Sequence, residues 1–274
     1  MTLFVEKEWL RNHYENVRVV DCRFHLQNKN EGKKQYEQDH LPNAVYFHLE
    51  DDLSGPVMEH GGRHPLPNLN ELKEKLEAVG ITNDTVVVAY DEATGPFATR
   101  FLWLMKYCGH EKVYVLNGGY SKWKEAGYEV DAKIPTFTKS SYNVHVQSEL
   151  LASYEEVKQV SQYGGAVLLD SRESRRYEGK EEPIDRIAGH IPGAINAPWM
   201  DGVKEGVFLD AEQQKERFSA LEPTHEIIVY CGSGVTATPN YAALKSAGFE
   251  KVKVYIGSYS DWVSYKDNPV EGSK

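Results

Sequence analysis

Ile227-Ile228-Val229-Tyr230-Cys231-Gly232-Ser233-Gly234-Val235-Thr236-Ala237 is a short, β-branched apolar run that stops on a cysteine and continues through small residues. A run this short and unbroken reads as a central strand buried on both faces. Residues 239–247 follow with helical spacing, Gly248 terminates them, and residues 252–256 form the next apolar run. Strand, helix and strand in this order imply a parallel sheet covered by helices.

The same passage occurs earlier. Val86-Val87-Val88-Ala89-Tyr90-Asp91 matches Glu226 through Cys231, and it too is followed by a helical segment (97–107), a terminating Gly109 and a strand (112–116). Three further pairs keep the same order: Val19-Val20-Asp21-Cys22-Arg23 with Leu168-Leu169-Asp170-Ser171-Arg172, His40-Leu41-Pro42-Asn43-Ala44-Val45 with His190-Ile191-Pro192-Gly193-Ala194-Ile195, and Gly118-Gly119-Tyr120-Ser121-Lys122-Trp123 with Gly257-Ser258-Tyr259-Ser260-Asp261-Trp262. The chain is a duplication with a period of about 140–150 residues. The fold class expected is α/β, two tandem domains, each a mostly parallel sheet flanked by helices. The first half is bounded at residues 1–131 and the second at 148–274. Residues 132–147, rich in Thr, Ser and Lys and without helical period, read as the linker.

Composition agrees with two globular units. The 274 residues are 41% hydrophobic and 26% charged, enough for two ordinary cores. No apolar run of about 18 residues is present, so no membrane span is expected. The start of the chain lacks the pattern of a secretory signal, which points to the cytoplasm. A net charge of −10 argues against nucleic acid or an anionic membrane as partner. Three widely spaced cysteines make neither a disulfide framework nor a zinc cluster, so no metal or other cofactor is expected.

Cys231 has the placement of a nucleophile. Loop amides and the positive end of the helix that follows can converge on its sulfur and favour the thiolate, and Gly232 and Gly234 leave the backbone N–H groups open to an anion. A buried small cysteine is the commoner state. Against it stands the repeat, because Asp91 occupies the equivalent position and a carboxylate is a poor core residue. Cys22 and Cys108 match Ser171 and Ala247 and read as structural. Two other motifs overlap the loop. Gly232 through Ala237 fits the dinucleotide fingerprint G-x-G-x-x-A, but the loop lies late in its half and the acidic residue expected after the next strand is missing. A cysteine phosphatase needs C-x5-R, and position 237 is Ala.

Over nearly its whole length the chain resembles the two-domain rhodanese-type sulfurtransferases. The resemblance rests on the tandem halves, Asp170-Ser171-Arg172, Gly189-His190-Ile191-Pro192-Gly193-Ala194, the Cys231 loop and the closing Gly-x-x-x-x-Trp elements. The loop Cys-Gly-Ser-Gly-Val-Thr-Ala resembles the form of the 3-mercaptopyruvate enzymes, whereas thiosulfate enzymes usually carry Arg and Lys after the cysteine. The resemblance implies a catalytically silent first half and transfer of a sulfane sulfur through a Cys231 persulfide. The donor is then a small anion, 3-mercaptopyruvate or thiosulfate, and the acceptor a thiol, such as that of a thioredoxin-like protein, or cyanide. Backbone groups of Gly232, Gly234, Val235 and Thr236 would hold the sulfur, and Arg176, with Arg186 as second arginine, the donor's anionic end. A Ser–His–acid relay would comprise Ser233 and His40, the acidic member unplaced between Glu31 and Glu37. His190, the repeat partner of His40, reads as structural. The alternatives are a thiosulfate-preferring enzyme, a non-catalytic persulfide or oxyanion-binding module, and a cysteine hydrolase built on Cys231 and His40.

Overall fold

The computed structural model describes residues 3–93 and 95–272. Met1, Thr2, Thr94, Ser273 and Lys274 lie outside them, and with them the outermost residues of both halves as bounded above.

The first half runs β1 (Phe4–Val5), α1 (Lys7–His13), β2 (Val17–Asp21), α2 (Glu31–Gln38), β3 (Val45–Tyr46), α3 (Leu69–Ala78), β4 (Val86–Tyr90), α4 (Pro96–Tyr107), β5 (Val113–Leu116) and α5 (Gly119–Glu125). Its strands form one parallel sheet in the order β1-β5-β4-β2-β3. The second half runs α6 (Tyr154–Tyr163), β6 (Val167–Asp170), α7 (Ser174–Tyr177), β7 (Ile195–Asn196), the antiparallel ribbon β8 (Val203–Lys204) and β9 (Val207–Phe208), α8 (Ala211–Arg217), β10 (Ile227–Tyr230), α9 (Thr238–Ser246), β11 (Val252–Val254) and α10 (Ser258–Trp262). Its parallel sheet has the order β11-β10-β6-β7, and a single bridge from Leu151 to Val254 stands where the first half has β1.

The repeated motifs are structural staples. In both halves the Asp-x-Arg pair closes at the strand end: Arg23 Nη2 lies 2.7 Å from Asp21 and Arg172 Nη2 lies 2.6 Å from Asp170, all of them buried. A buried charge is tolerable when paired and hydrogen-bonded. The repeated histidines do the same work as each other. His40 exchanges backbone hydrogen bonds with Asp131 and sets Nδ1 2.6 Å from Tyr36 O; His190 exchanges them with Glu271 and sets Nδ1 2.7 Å from Tyr177 O.

The halves are not separate bodies. Helices α4 and α9 pack on each other, and one apolar core runs from Leu3, Phe101 and Leu104 through Val235, Tyr241 and Leu244 to Ile256. Thr99 and Thr238, equivalent residues of the two helices, meet at 2.9 Å between their hydroxyls. Residues 132–147 carry no helix or strand, yet they are bound along the first half. Tyr142 is fully buried with its amide on Glu77 Oε1 at 3.0 Å, and His145 N and Gln147 N donate to Cys108 O and Tyr107 O. The segment is therefore docked on the first half. Satisfying its backbone required the first half's surface.

Candidate active site

Strand β10 delivers Cys231 to the carboxyl end of the second sheet, and the loop 232–237 turns sharply into α9. That turn needs Gly234. Its φ is +78°, and a Cβ there would lie 2.2 Å from Ile256 O. The turn brings Gly234 N to 3.1 Å from Cys231 Sγ. Behind the sulfur stands Ser258, held in the left-handed region at φ +55° and fully buried. Its Oγ accepts from Cys231 N at 3.1 Å and lies 3.9 Å from Sγ. The other loop groups are tied into the scaffold: Gly232 O accepts from Ser260 N, and Val235 O from Thr238.

Burial alone does not separate the three cysteines, all of which are enclosed. Surroundings do. Burial pushes the Cys22 thiol well above its ordinary range, with Asp21 and Asp91 adding to it, and pushes Cys108 up to about 12. Both are held as thiols, which are poor nucleophiles.

The group that completes the Cys231 loop comes from the first half. Residues 61–67 cross from one half to the other, anchored by Gly61 N on Asp261 Oδ1 (2.7 Å) and Arg63 N on Ser260 Oγ (3.2 Å). Gly62 passes so close that a Cβ would lie 2.3 Å from Gly257 O. This crossing sets His64 Nδ1 2.9 Å from Ser233 Oγ. On the other side of the ring, Nε2 is 3.9 Å from Glu50 Oε1. Burial, with the charges of Arg100, Arg63 and Lys29, lowers His64 to about 4, so the imidazole is neutral at ordinary pH.

The relay expected of Ser233 and His40 does not form. His40 is not beside Ser233: it is fully buried in the first half, its ring nitrogens facing Tyr36 O and Lys133 O (3.2 Å). Its structural role is the one inferred for His190, and the same repeat argument applies to both. The acidic neighbour of the ring is Glu50, not Glu31 or Glu37. The signal for the right segment was present, because Gly61-Gly62-Arg63-His64-Pro65 lies in a stretch between matches that is longer in the first half and has no counterpart in the second.

Two guanidinium groups stand over Gly232. A Cβ at that glycine would be 3.0 Å from Arg63 Nη2 and 3.4 Å from Arg176 Nη2. Arg176 is therefore where the motif placed it. Arg186 is not: its side chain is exposed and donates to Val263 O at the end of α10. The second cation at the loop is Arg63. Both arginines are aimed by enclosed carboxylates, Arg63 by an ion pair to Asp185, and Arg176 by Asp185 at 2.9 Å and Glu182 at 2.7 Å. Burial raises Glu182, but Arg176 and the amides of Asp185 and Ile184 outweigh it and hold the carboxyl below its ordinary range. For Asp185 burial wins, with Glu182 adding to it against the two arginines. The arrangement presents planar donor groups beside a loop that holds a sulfur. Two acidic side chains take up part of the positive charge of these donors.

Known proteins resemble this chain in family and in fold. The family model of the Rhodanese-like domain matches twice, over residues 6–126 and 153–265. A probable 3-mercaptopyruvate sulfurtransferase of Pseudomonas aeruginosa is 41% identical over 258 residues, covering 92% of this chain and 91% of the relative. A putative thiosulfate sulfurtransferase of Mycobacterium tuberculosis, SseB, is 35% identical, covering 93% and 90%. The solved structure of SseA from Escherichia coli, a 3-mercaptopyruvate sulfotransferase of rhodanese fold, superposes with a TM-score of 0.84 at 28% identity, covering 95% of this chain and 100% of that one.

Proposed function

The chain belongs to the rhodanese family as a tandem of two Rhodanese-like domains and is a sulfurtransferase, and from this premise we propose that its donor of choice is 3-mercaptopyruvate and its nucleophile Cys231. In this reading the first half (1–131) holds no nucleophile and the second (148–274) carries the chemistry, with the first supplying Arg63, His64 and Glu50 to the shared site.

Arg176 and Arg63 hold the donor's carboxylate beside Gly232. The Cys231 thiolate attacks the donor sulfur, the carbon–sulfur bond breaks, and its electron pair passes to the carbon as the enolate of pyruvate. Ser233 gives a proton to that carbon and recovers one, through neutral His64, from the S–H of the new persulfide. Cys231–S–S⁻ and pyruvate result, with no proton drawn from solvent. An acceptor thiolate, from a small thiol or a thioredoxin-like protein, or cyanide, then takes the outer sulfur and restores the thiolate. Gly234 N and the other loop amides stabilise the negative sulfur as an oxyanion hole would. The free cysteines suit a reducing compartment, and a cytoplasmic location is part of this reading. No helix among the described residues is long and apolar enough to cross a membrane.

The observation that carries the donor assignment is the Ser233–His64 contact at 2.9 Å. Sulfite leaves thiosulfate without needing a proton, so this pair has a use only for a carbon leaving group. The test is kcat/KM for both donors in the wild type and in Ser233→Ala. A selective loss on 3-mercaptopyruvate is expected. A wild type that prefers thiosulfate, with equal losses on both donors, overturns the assignment while leaving the sulfurtransferase class intact.

A further inference from the structure

Arginine is rarely buried without a carboxylate, because an isolated buried charge is strongly unfavourable. Arg23 and Arg172 obey that rule through Asp21 and Asp170. Arg100, on α4 of the first half, is fully buried, and its hydrogen-bond partners are all neutral carbonyls. Nη1 donates to Gly234 O at 3.1 Å; Nη2 donates to Leu53 O and His64 O at 3.1 Å and to Pro65 O at 3.2 Å. Its Nε has no partner among the described residues. Burial lowers its pKa to about 10, which leaves it charged at neutral pH, and among the described residues the Cys231 sulfur opposes that lowering.

We propose that Arg100 is a positioning residue for sulfur transfer: its guanidinium locks the Cys231 loop and the His64 segment into one geometry and is the buried counter-charge of the sulfur anion. The inference rests on the reading of Cys231 as the nucleophile. Gly234 carries both halves of the argument. Its carbonyl is held on Arg100 while its amide points at Sγ (3.1 Å), so the guanidinium keeps the loop's dipoles oriented toward the sulfur. The same guanidinium holds the carbonyl of His64, whose ring reaches Ser233. Sulfur stays anionic before and after transfer, first as thiolate and then as persulfide, so a permanent cation is useful throughout the cycle. The device is one-sided. Thr99 and Thr238 face each other across the repeat, and the residue after Thr238 is Pro239, so no arginine is returned to the Asp91 loop.

Other charged or titratable groups surround the loop. Arg63 and Arg176 stand over Gly232 with Asp185 and Glu182; His64, with Glu50 behind it, faces Ser233; and Asp261, on α10, is bound to Gly61 N and Tyr255 OH. The arginines over Gly232 are compensated by carboxylates and His64 is neutral. Among the described residues, Arg100 has no carboxylate partner.

The experiment uses the full-length protein and Arg100→Gln and Arg100→Lys, with iodoacetamide alkylation of Cys231 followed against pH by peptide mass, steady-state kinetics on 3-mercaptopyruvate, and thermal melting. In Arg100→Gln the alkylation midpoint is expected to move up by about one pH unit or more, and kcat to fall about 10- to 100-fold with KM changed less than about threefold. Arg100→Lys, which keeps the charge but not the fork, should restore the midpoint and leave kcat depressed about tenfold. A folded Arg100→Gln with a wild-type midpoint and kcat overturns the proposal. If Arg100→Gln does not fold, undiminished kcat in Arg100→Lys overturns it instead. Alkylation is read without any donor, so a wild type that takes up no sulfur would defeat the nucleophile assignment separately.

Discussion

The chain builds the same strand–loop–helix twice, ending β4 on Asp91 and β10 on Cys231, and the two loops treat an anion in opposite ways. In the first half the Asp91 carboxylate accepts from Gly95 N at 2.8 Å, Phe97 N at 2.9 Å and Ala98 N at 3.3 Å. In the second, Gly234 N points to Cys231 Sγ. Gly95 and Gly234 hold φ of +80° and +78°, so the backbone device is shared. A loop of inward amides at a helix start attracts negative charge whatever its source. The first half satisfies it permanently with its own side chain and is thereby plugged. In the proposed function, the second supplies a sulfur that gains and loses a second sulfur. The halves also differ in what faces them, since Arg63, His64 and Arg100 all reach from the first half into the second half's loop.

The largest break in this comparison is expected at the paired loop residues themselves. Cys231→Ser should lose about 10⁴-fold or more in kcat, because a hydroxyl forms no persulfide. Asp91→Ala should leave kcat/KM within about twofold while lowering the melting temperature, since three amides lose their acceptor. After donor treatment the intact mass of the wild type should rise by roughly 32 Da, located by peptide mapping on Cys231 and not on Cys22 or Cys108.

Next come the cations over Gly232. Arg176→Ala and Arg63→Ala should each lower kcat/KM for 3-mercaptopyruvate about 10²-fold, mainly through KM, whereas Arg186→Ala should stay within about twofold. A loss at Arg63 no larger than the twofold expected at Arg186 would mean that Arg63 does not hold the donor.

A smaller, selective effect is expected in the relay. Ser233→Ala and His64→Asn should cost about 10²-fold in kcat on 3-mercaptopyruvate and about threefold or less on thiosulfate. His40→Ala should behave like His190→Ala, losing stability but not this donor selectivity, which steady-state kinetics and thermal melts would separate.

The smallest effect is in stability against pH. Burial raises Asp91 to about 6 in the folded chain, so this group favours folding at acid pH and that contribution is lost as pH rises from about 4 to 6. Burial lowers His64 to about 4 from an ordinary 6.5, so its penalty grows as pH falls through the same range. The two oppose each other. Relative to wild type, Asp91→Asn should gain stability on going from pH 4.5 to 7 and His64→Asn should lose it, each by roughly 1–3 kcal/mol in denaturant titrations. Tilts of the same sign in both variants would contradict the assigned environments.

Much of this molecule was legible before any coordinates. The unbroken runs at Val86–Tyr90 and Ile227–Tyr230 became the central strands, and the segments beginning near Phe97 and Pro239 became the helices that pack the halves together. Cys231 was singled out because its repeat partner is an aspartate, and Arg176 because of its place after Asp170-Ser171-Arg172. His40 shows how the same reading failed. Its motif points to the relay, while the repeat marks it as one of a structural pair.

Sequence alone determined the duplication and the parallel α/β architecture, and it set Cys231 apart from the other two cysteines. These depend on local quantities: periodicity, strand length, glycine positions and the contrast between two aligned residues. Only the tertiary structure decided that His64 rather than His40 faces Ser233, that Arg63 rather than Arg186 joins Arg176, and that Arg100 lies under the loop. Those residues are separated from Cys231 by more than a hundred positions in the chain. They are brought to it by a crossing loop and a helix interface whose course follows from burying one shared core, and no spacing in the sequence encodes that convergence.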